Sequence, residues 1–199
     1  MSASLAANRA TPHTPPSRDA PQRIAIVRAV LALVWAAALV IAAGDHVPST
    51  NSDVPIAAAA LLASYPAIDV VASVAAALGK DASGRVLRGN AAISAIAVAA
   101  IGATAFGADA GATLAAFGAW AAVSGAIQFG VAVQRRRAGS RQLPMIVSGG
   151  LSTIAGISFL AASGMDDAHL ATVGGYMALG ALLYLLGAHR SRTAPRAAQ

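Results

Sequence analysis

Residues 54–78 read VPIAAAALLASYPAIDVVASVAAAL, an apolar run in which Asp69 is the single charged side chain. A helix of about 20 apolar residues is long enough to cross the hydrocarbon core of a bilayer. Backbone groups inside hydrocarbon must hydrogen-bond internally, so a run of this kind predicts a membrane-spanning helix. The stretch indicates the class of fold, and it raises the question of what a carboxylate does inside it.

The composition of the whole chain agrees with a membrane location. Of its 199 residues 57% are hydrophobic and only 11% are charged, and the mean hydropathy is +0.64. Soluble domains carry about 25% charged residues, so this chain lacks the polar side chains to cover a water-soluble globule. It has no cysteine, which excludes disulfides and cysteine-ligated metals. No cofactor is expected.

Six apolar segments divide the chain, separated by brief turns that carry Gly, Pro, Asp or Arg. They cover residues 24–43, 54–78, 91–106, 112–133, 143–163 and 170–187. We predict an all-α membrane protein with six transmembrane helices in three antiparallel hairpins, over residues 23–189. Residues 1–22, rich in Pro, Ser and Thr, are predicted to be a disordered cytoplasmic tail, and residues 190–199 a basic cytoplasmic tail.

The distribution of charge predicts the orientation. All fourteen Lys and Arg residues precede or open helix 1, lie in the turns after helices 2 and 4, or follow helix 6. The other turns carry Asp45, Asp53, Asp109, Asp166 and Asp167 without a basic residue. The positive-inside rule then places both termini in the cytoplasm. The net charge of +6 therefore indicates anionic lipid headgroups as the partner on the cytoplasmic side of the bilayer, and not nucleic acid.

A weak internal repeat relates the ends of helices 4 and 6. GAIQFGVAVQRRR from Gly125 aligns with GALLYLLGAHRSR from Gly180, a shift of 55 residues. The same shift aligns Tyr65 with Trp120 and Asp69 with Ser124. This repeat favours three hairpins of similar length.

Glycines recur at heptad spacing in the last three helices, at Gly118 and Gly125, Gly149 and Gly156, and Gly180 and Gly187. Small residues on one face let two helix backbones approach closely within a membrane. We predict helix-packing roles for Gly118, Gly125, Gly149, Gly156 and Gly180, and also for Pro66. The same faces leave open a homo-oligomer.

Residues 117–160, FGAWAAVSGAIQFGVAVQRRRAGSRQLPMIVSGGLSTIAGISFL, resemble the HdeD-like family of bacterial six-helix inner-membrane proteins. The resemblance is carried by Gly118 with Trp120, Gly125 with Gln128, an arginine-rich turn and SGGLSTIAG, and YPAIDVVAS is similar to the matching stretch of actinobacterial-type members. It covers roughly residues 24–190. It implies the bacterial inner membrane and a part in acid or envelope stress tolerance, and it implies no catalytic or binding residue.

Asp69 is the one acid well inside an apolar segment, about 15 Å of helix rise from Gly79. A charge near the bilayer midplane costs about 2.5–3.5 kcal/mol on insertion scales, so the carboxyl must face the bundle interior, be protonated or have a partner. Pro66 removes a backbone hydrogen bond and predicts a kink beside it. The candidate partners are Arg28, Gln128 and Asn90.

Three interpretations of Asp69 stay open. It pairs with a neighbouring donor and holds helices together, it carries protons in a small transporter or proton-linked channel, or it binds a ligand or lines a water-filled cleft. The sequence lacks enzyme motifs of the kind sought in a membrane protein. There is no HExxH, and AVSG at 122–125 lacks the first glycine of an intramembrane protease motif. The four histidines lie in tails or at membrane surfaces, so we expect neither a catalytic base nor a metal site. The chain is predicted to be non-enzymatic.

Overall fold

The computed structural model describes the backbone of residues 19–44, 47, 49–78, 84–137, 143–166 and 169–193. Within these residues there are six helices and no strand, which confirms the all-α prediction. The helices are α1 (Asp19–Ala43), α2 (Ile56–Ala77), α3 (Gly84–Gly107), α4 (Ala110–Arg137), α5 (Leu143–Ala162) and α6 (Ala171–Thr193).

Four of the helices are long and apolar enough to cross a membrane. The qualifying segments are Ile56–Val74, Gly84–Gly107, Ala110–Arg137 and Leu143–Ala162, and the shorter apolar stretches Val30–Ala43 and Ala171–Leu182 belong to α1 and α6. Large apolar side chains point outward from the bundle, such as Ile41 at 76% and Val71 at 70% exposed. Outward apolar surfaces of this kind suit lipid and not water, in keeping with the predicted membrane protein.

Several helices extend beyond the apolar segments that predicted them. α3 begins at Gly84 rather than at residue 91, because Arg85 and Arg88 interrupt the apolar run without interrupting the helix. Arginine is a good helix former, and its long side chain can reach the membrane surface from within a helix. For the same reason α4 continues to Arg137. α1 begins at Asp19 and α6 ends at Thr193, so both predicted tails overlap a helix.

The helices pack in a ring. Each contacts the next in chain order, and α6 contacts α1. The contact of α4 with α5 is the most extensive, followed by α2 with α3 and α1 with α6, whereas α5 and α6 touch only slightly. The strongest pairings of consecutive helices therefore lie across the basic turns, between one predicted hairpin and the next.

Four of the predicted packing glycines form the seam between α4 and α5. A Cβ at Gly118 would lie 2.9 Å from the Gly156 carbonyl oxygen, and one at Gly125 would lie 2.9 Å from the Gly149 carbonyl oxygen. The order of these contacts runs up one helix and down the other, so α4 and α5 are antiparallel. These four glycines therefore lie where the backbones of α4 and α5 approach each other closely.

Gly180 differs from its predicted role. A Cβ there would meet nothing within 4 Å in the described part of the chain. Instead α6 approaches α1 at Gly174, where a Cβ would lie 2.6 Å from Val40 Cγ2 and 3.0 Å from the Ala36 carbonyl oxygen. Heptad spacing marks a stripe of small residues but does not say which stripe meets a neighbour, and on α6 the neighbour lies along the stripe that contains Gly174.

At the end of the bundle that carries the aspartates, α4 is held against the turn after α1. Asp109 caps α4 by accepting a hydrogen bond from the Ala112 amide at 2.7 Å. The Gly111 amide donates to the Thr50 carbonyl at 2.7 Å, and the Ala110 amide donates to the Ser52 carbonyl at 2.9 Å. The first amides of α4 thus find partners that the helix itself cannot supply.

A line of aromatic rings crosses the interior from α1 to α6. The ring centroids are 5.7 Å apart for Trp35–Tyr65, 6.2 Å for Tyr65–Trp120, 5.4 Å for Trp120–Phe117, 6.2 Å for Phe117–Phe159 and 5.8 Å for Phe159–Tyr176. Most of these pairs are edge-to-face, an arrangement that contributes about 0.5–1.5 kcal/mol beyond area burial. Tyr65 lies one helical turn from Asp69, so this layer borders the polar site described next.

Candidate functional site

Asp69 lies deep within α2, about 12 Å from the Ala77 end and about 20 Å from the Ile56 end by helix rise. Its Oδ2 accepts hydrogen bonds from Asn90 Nδ2 at 2.7 Å, Ser94 Oγ at 2.6 Å and Ser124 Oγ at 3.2 Å. Asn90 and Ser94 belong to α3 and Ser124 to α4. One carboxylate oxygen therefore joins three helices.

A second set of hydrogen bonds supports these donors. Asn90 Nδ2 also donates to Ser73 Oγ at 2.9 Å, and Trp120 Nε1 donates to Ser94 Oγ at 2.9 Å. The Ser94 hydroxyl accepts from the indole and passes its own hydrogen to Asp69, an arrangement in which each bond strengthens the other. We call Asp69, Ser73, Asn90, Ser94, Trp120 and Ser124 the Asp69 cluster.

The cluster has a regular construction. Each of three helices contributes two side chains one turn apart: Asp69 and Ser73 on α2, Asn90 and Ser94 on α3, and Trp120 and Ser124 on α4. Residues at i and i+4 share one face of a helix. The polar faces of three otherwise apolar helices therefore meet at one place.

Burial makes this network consequential. Asp69 itself is half-buried, whereas its three partners are almost fully buried: Asn90 is 6% exposed, Ser94 is 0% and Ser124 is 9%. Hydrogen bonds to an ionised acceptor are roughly twice as strong as neutral ones. Donors that cannot reach water depend on the carboxylate, so the arrangement can hold α2 against α3 and α4.

The structure brings together only part of the predicted site. Asn90 contacts Asp69, as above. Gln128 Nε2 donates to the Met145 carbonyl at 3.5 Å and so belongs to the interface of α4 with α5. Arg28 lies in α1, but its side chain is outside the described residues, and its pairing with Asp69 stays a prediction. Pro66 is fully buried and lies within α2, which continues through it to Ala77.

Ser73, Ser94, Ser124 and Trp120 lie outside the set predicted from sequence. The 55-residue shift aligns Asp69 with Ser124 and Tyr65 with Trp120, and the structure places each aligned pair in contact. The signal that would have found the rest is the i, i+4 spacing of polar side chains on each of the three helices.

Two buried polar atoms have no hydrogen-bond partner within the part of the chain that the structure describes: Asn90 Oδ1 and Trp35 Nε1. Leaving such a group unpaired costs about 1–3 kcal/mol. Asn90 Oδ1 is the more informative of the two because it belongs to the amide that touches the carboxylate. It is free to accept one more donor or to bind a positive ion.

The two tryptophans offer a matched test of the network. Both rings pack edge-to-face on Tyr65, but among the described residues only the indole N–H of Trp120 has an acceptor. We expect Trp120→Phe to lower the free energy of unfolding by about 1 kcal/mol, through the lost bond to Ser94. Trp35→Phe removes an unsatisfied N–H and is expected to be neutral or stabilising. Thermal unfolding of the two variants in the same detergent checks this, and equal losses would contradict it.

No protein-family model, curated protein or solved structure matches this chain. The class of the molecule therefore rests on its own features. Over the described residues it is all-helical, with four helices long and apolar enough to cross a membrane and a carboxylate cluster that joins α2, α3 and α4.

Proposed function

We propose that the chain is a non-enzymatic multi-pass membrane protein whose intramembrane aspartate serves first as an anchor between helices. The observation that carries the proposal is the Asp69 carboxylate, which accepts hydrogen bonds from Asn90 and Ser94 of α3 and Ser124 of α4. A carboxylate within an apolar span is costly. The three donors offset that cost, and in return the charge links helices that have little hydrophobic reason to associate in lipid.

In the proposed topology all six helices cross the bilayer, in three antiparallel hairpins with both termini in the cytoplasm. The support is the separation of charge along the chain: Arg85 and Arg88 open α3 and Arg135–Arg137 close α4, whereas Asp109 lies between these two helices. The opposed contacts of α4 and α5 at their glycines fit the same alternation. Anionic headgroups are the proposed partner of the basic ends.

The proposed location is the bacterial inner membrane, and the proposed type is HdeD-like with a part in acid or envelope stress tolerance. This rests on the resemblance at residues 117–160. Its shared glycines, Gly118, Gly125, Gly149 and Gly156, lie at the α4–α5 seam, where only a hydrogen side chain fits. The features that carry the resemblance are thus ones that this fold requires for packing. We also propose a homo-oligomer, which would form through glycines of α6 that meet no other helix among the described residues, such as Gly180.

A second candidate, a small transporter or proton-linked channel, is favoured by one specific observation. Asn90 Oδ1 lies beside the Asp69 carboxylate and is buried without a partner among the described residues. A proton on the carboxyl would give this oxygen a donor if the amide turned toward it. The cluster would then exchange one satisfied arrangement for another as a proton arrives and leaves.

Proton flux separates the two candidates. We expect liposomes containing the wild-type chain to acidify under an imposed pH gradient no faster than empty liposomes. We expect Asp69→Asn to lower the midpoint of thermal unfolding, because a neutral amide oxygen accepts weaker hydrogen bonds from the three donors than a carboxylate does. Asp166→Asn is the matched control, since Asp166 is exposed at the far end of the bundle, and it should change neither quantity.

Opposite results would support the second candidate. Flux in the wild type that disappears in Asp69→Asn, with the unfolding midpoint unchanged, would make Asp69 part of a proton path. It would also remove the anchor as the main role of the cluster.

A further inference from the structure

We infer that the Asp69 cluster binds one monovalent cation of the size of Na⁺. The inference rests on the proposed function only in that Asp69 lies within the hydrocarbon region. When the ion binds, it replaces some of the hydrogen bonds within the cluster, and those hydrogen bonds form again when the ion leaves. The binding atoms are the Asp69 carboxylate, the Asn90 amide oxygen and the hydroxyls of Ser73, Ser94 and Ser124.

The first support is the chemistry of the atoms that would ligate the ion. Apart from the Trp120 indole, which cannot ligate, every side chain of the cluster offers an oxygen. Carboxylate, amide and hydroxyl oxygens suit hard cations, whereas nitrogen and sulfur ligands select transition metals. Among the described residues no three His, Cys, Asp or Glu side chains come together. Asp69 is the one acidic side chain of this cluster, and the oxygen atoms of its other side chains are neutral.

That single carboxylate sets the charge of the ligand. With one negative charge, a monovalent cation makes the site neutral. A divalent cation would leave a net positive charge among apolar helices, which is strongly unfavourable. Asp69 makes no ion pair within the described residues, where its contacts are the Asn90 amide and two serine hydroxyls.

The second, independent support is Asn90 Oδ1, a buried oxygen that finds no partner in the part of the chain that the structure describes, on a side chain that is 6% exposed. Asn90 Nδ2 is 2.7 Å from Asp69 Oδ2, and covalent geometry then places Oδ1 within about 5 Å of that oxygen. Na⁺ has nearly the radius of Ca²⁺, whose bonds to oxygen are about 2.3–2.6 Å, so two such bonds span the same gap.

Binding requires only a turn of the amide. Asn90 Nδ2 holds both Asp69 Oδ2 and Ser73 Oγ, at 2.7 Å and 2.9 Å. A rotation that keeps Nδ2 on Ser73 brings Oδ1 toward the carboxylate, and the cation replaces the amide hydrogen between them. The hydroxyls of Ser94 and Ser124 turn their lone pairs to the ion, since a hydroxyl is both donor and acceptor.

The test is the thermal midpoint of the purified full-length chain in detergent, titrated with NaCl against choline chloride at constant ionic strength and pH. We expect Na⁺ to raise the midpoint saturably, by about 3–6 °C at about ten times its dissociation constant. Choline, which is too large for the site, should give no rise at matched concentration.

Variants locate the effect. Ser124→Ala removes one of the oxygen ligands. Its hydroxyl makes the longest of the three hydrogen bonds to Asp69, at 3.2 Å, so the variant should still fold. It should need about tenfold more Na⁺ to reach half of the rise in midpoint. Asn90→Leu should abolish the rise. Ser152→Ala is the matched control, because Ser152 shares its hydrogen bond with Tyr176 outside the cluster, and its Na⁺ response should equal that of the wild type.

The outcomes are distinct. A midpoint that ignores Na⁺, or a rise that survives in both Ser124→Ala and Asn90→Leu, overturns the inference. Stabilisation by lowered pH without any response to Na⁺ also overturns it and assigns a proton to the site. These results are separate from the anchor, which fails instead if Asp69→Asn leaves the midpoint of the Na⁺-free protein unchanged.

Discussion

Gly156→Ala is expected to lower the free energy of unfolding by about 3 kcal/mol, because among the described glycines it has the closest backbone neighbours. The added Cβ would overlap the backbone nitrogen of Ala122 and would lie 2.7 Å from its Cα. Backbone atoms cannot turn aside as a side chain can, so α4 and α5 must separate. Overpacking usually costs about 1–3 kcal/mol, and here the most extensive helix contact of the bundle is lost with it.

Thermal unfolding in detergent measures this loss, with an expected fall in the midpoint of about 10 °C. Gly130→Ala is the control on α4, because a Cβ at Gly130 would meet none of the described atoms within 4 Å. That substitution should be neutral or slightly stabilising, since alanine favours a helix more than glycine does. Equal midpoints for the two variants would mean that the glycine seam does not hold these helices together.

Asp69→Leu is expected to have an effect of similar size, a loss of about 3 kcal/mol in the free energy of unfolding. Leucine removes the acceptor of Asn90, Ser94 and Ser124 at once. Each buried donor left unpaired costs about 1–3 kcal/mol. Removing a charge from an apolar span is favourable by a similar amount. The sign of the change in the free energy of unfolding therefore depends on how many buried donors lose their acceptor, and the cost of three such donors exceeds the gain from removing one charge.

A combined variant tests that reasoning. Asp69→Leu together with Asn90→Leu and Ser124→Ala removes the acceptor and two of its donors while Ser94 keeps its bond from Trp120, and replacing both partners of a hydrogen bond by apolar groups is nearly neutral. We expect the combined variant to be more stable than Asp69→Leu alone. An Asp69→Leu protein that melts above the wild type would show instead that desolvation of the carboxylate dominates and that the cluster does not anchor the helices.

The α4–α5 seam was largely predictable, and α6 was not. Heptad spacing identified Gly118, Gly125, Gly149 and Gly156, because two stripes of small residues on consecutive helices suffice for a close approach. On α6 the same spacing selected Gly180, where a Cβ would meet no described atom within 4 Å, and missed Gly174, which meets α1. The choice between those stripes depends on where α1 lies, and no local pattern contains that information.

The Asp69 cluster was predictable at its centre and not at its edges. A lone acid in an apolar run identifies itself, and Asn90 stood out as an amide at the start of a helix. Serines did not, because a hydroxyl in a helix often bonds to the carbonyl of its own preceding turn, as Ser158 does with Ile154 at 3.0 Å. Gln128 was as plausible as Asn90 from its depth, but its side chain faces α5.

The sequence by itself determined the local properties of this protein. Apolar length sets the number of helices, because hydrocarbon admits no other backbone arrangement for a single run. Glycine spacing sets where two helices can touch, and Asp69 marks where polarity must be satisfied. Only the tertiary structure decided the rotation of each helix, and therefore that Ser94 and Ser124 face Asp69 while Gln128 does not. The reason is that a helix apolar on every side has no wet face to orient it, so its rotation follows from packing alone.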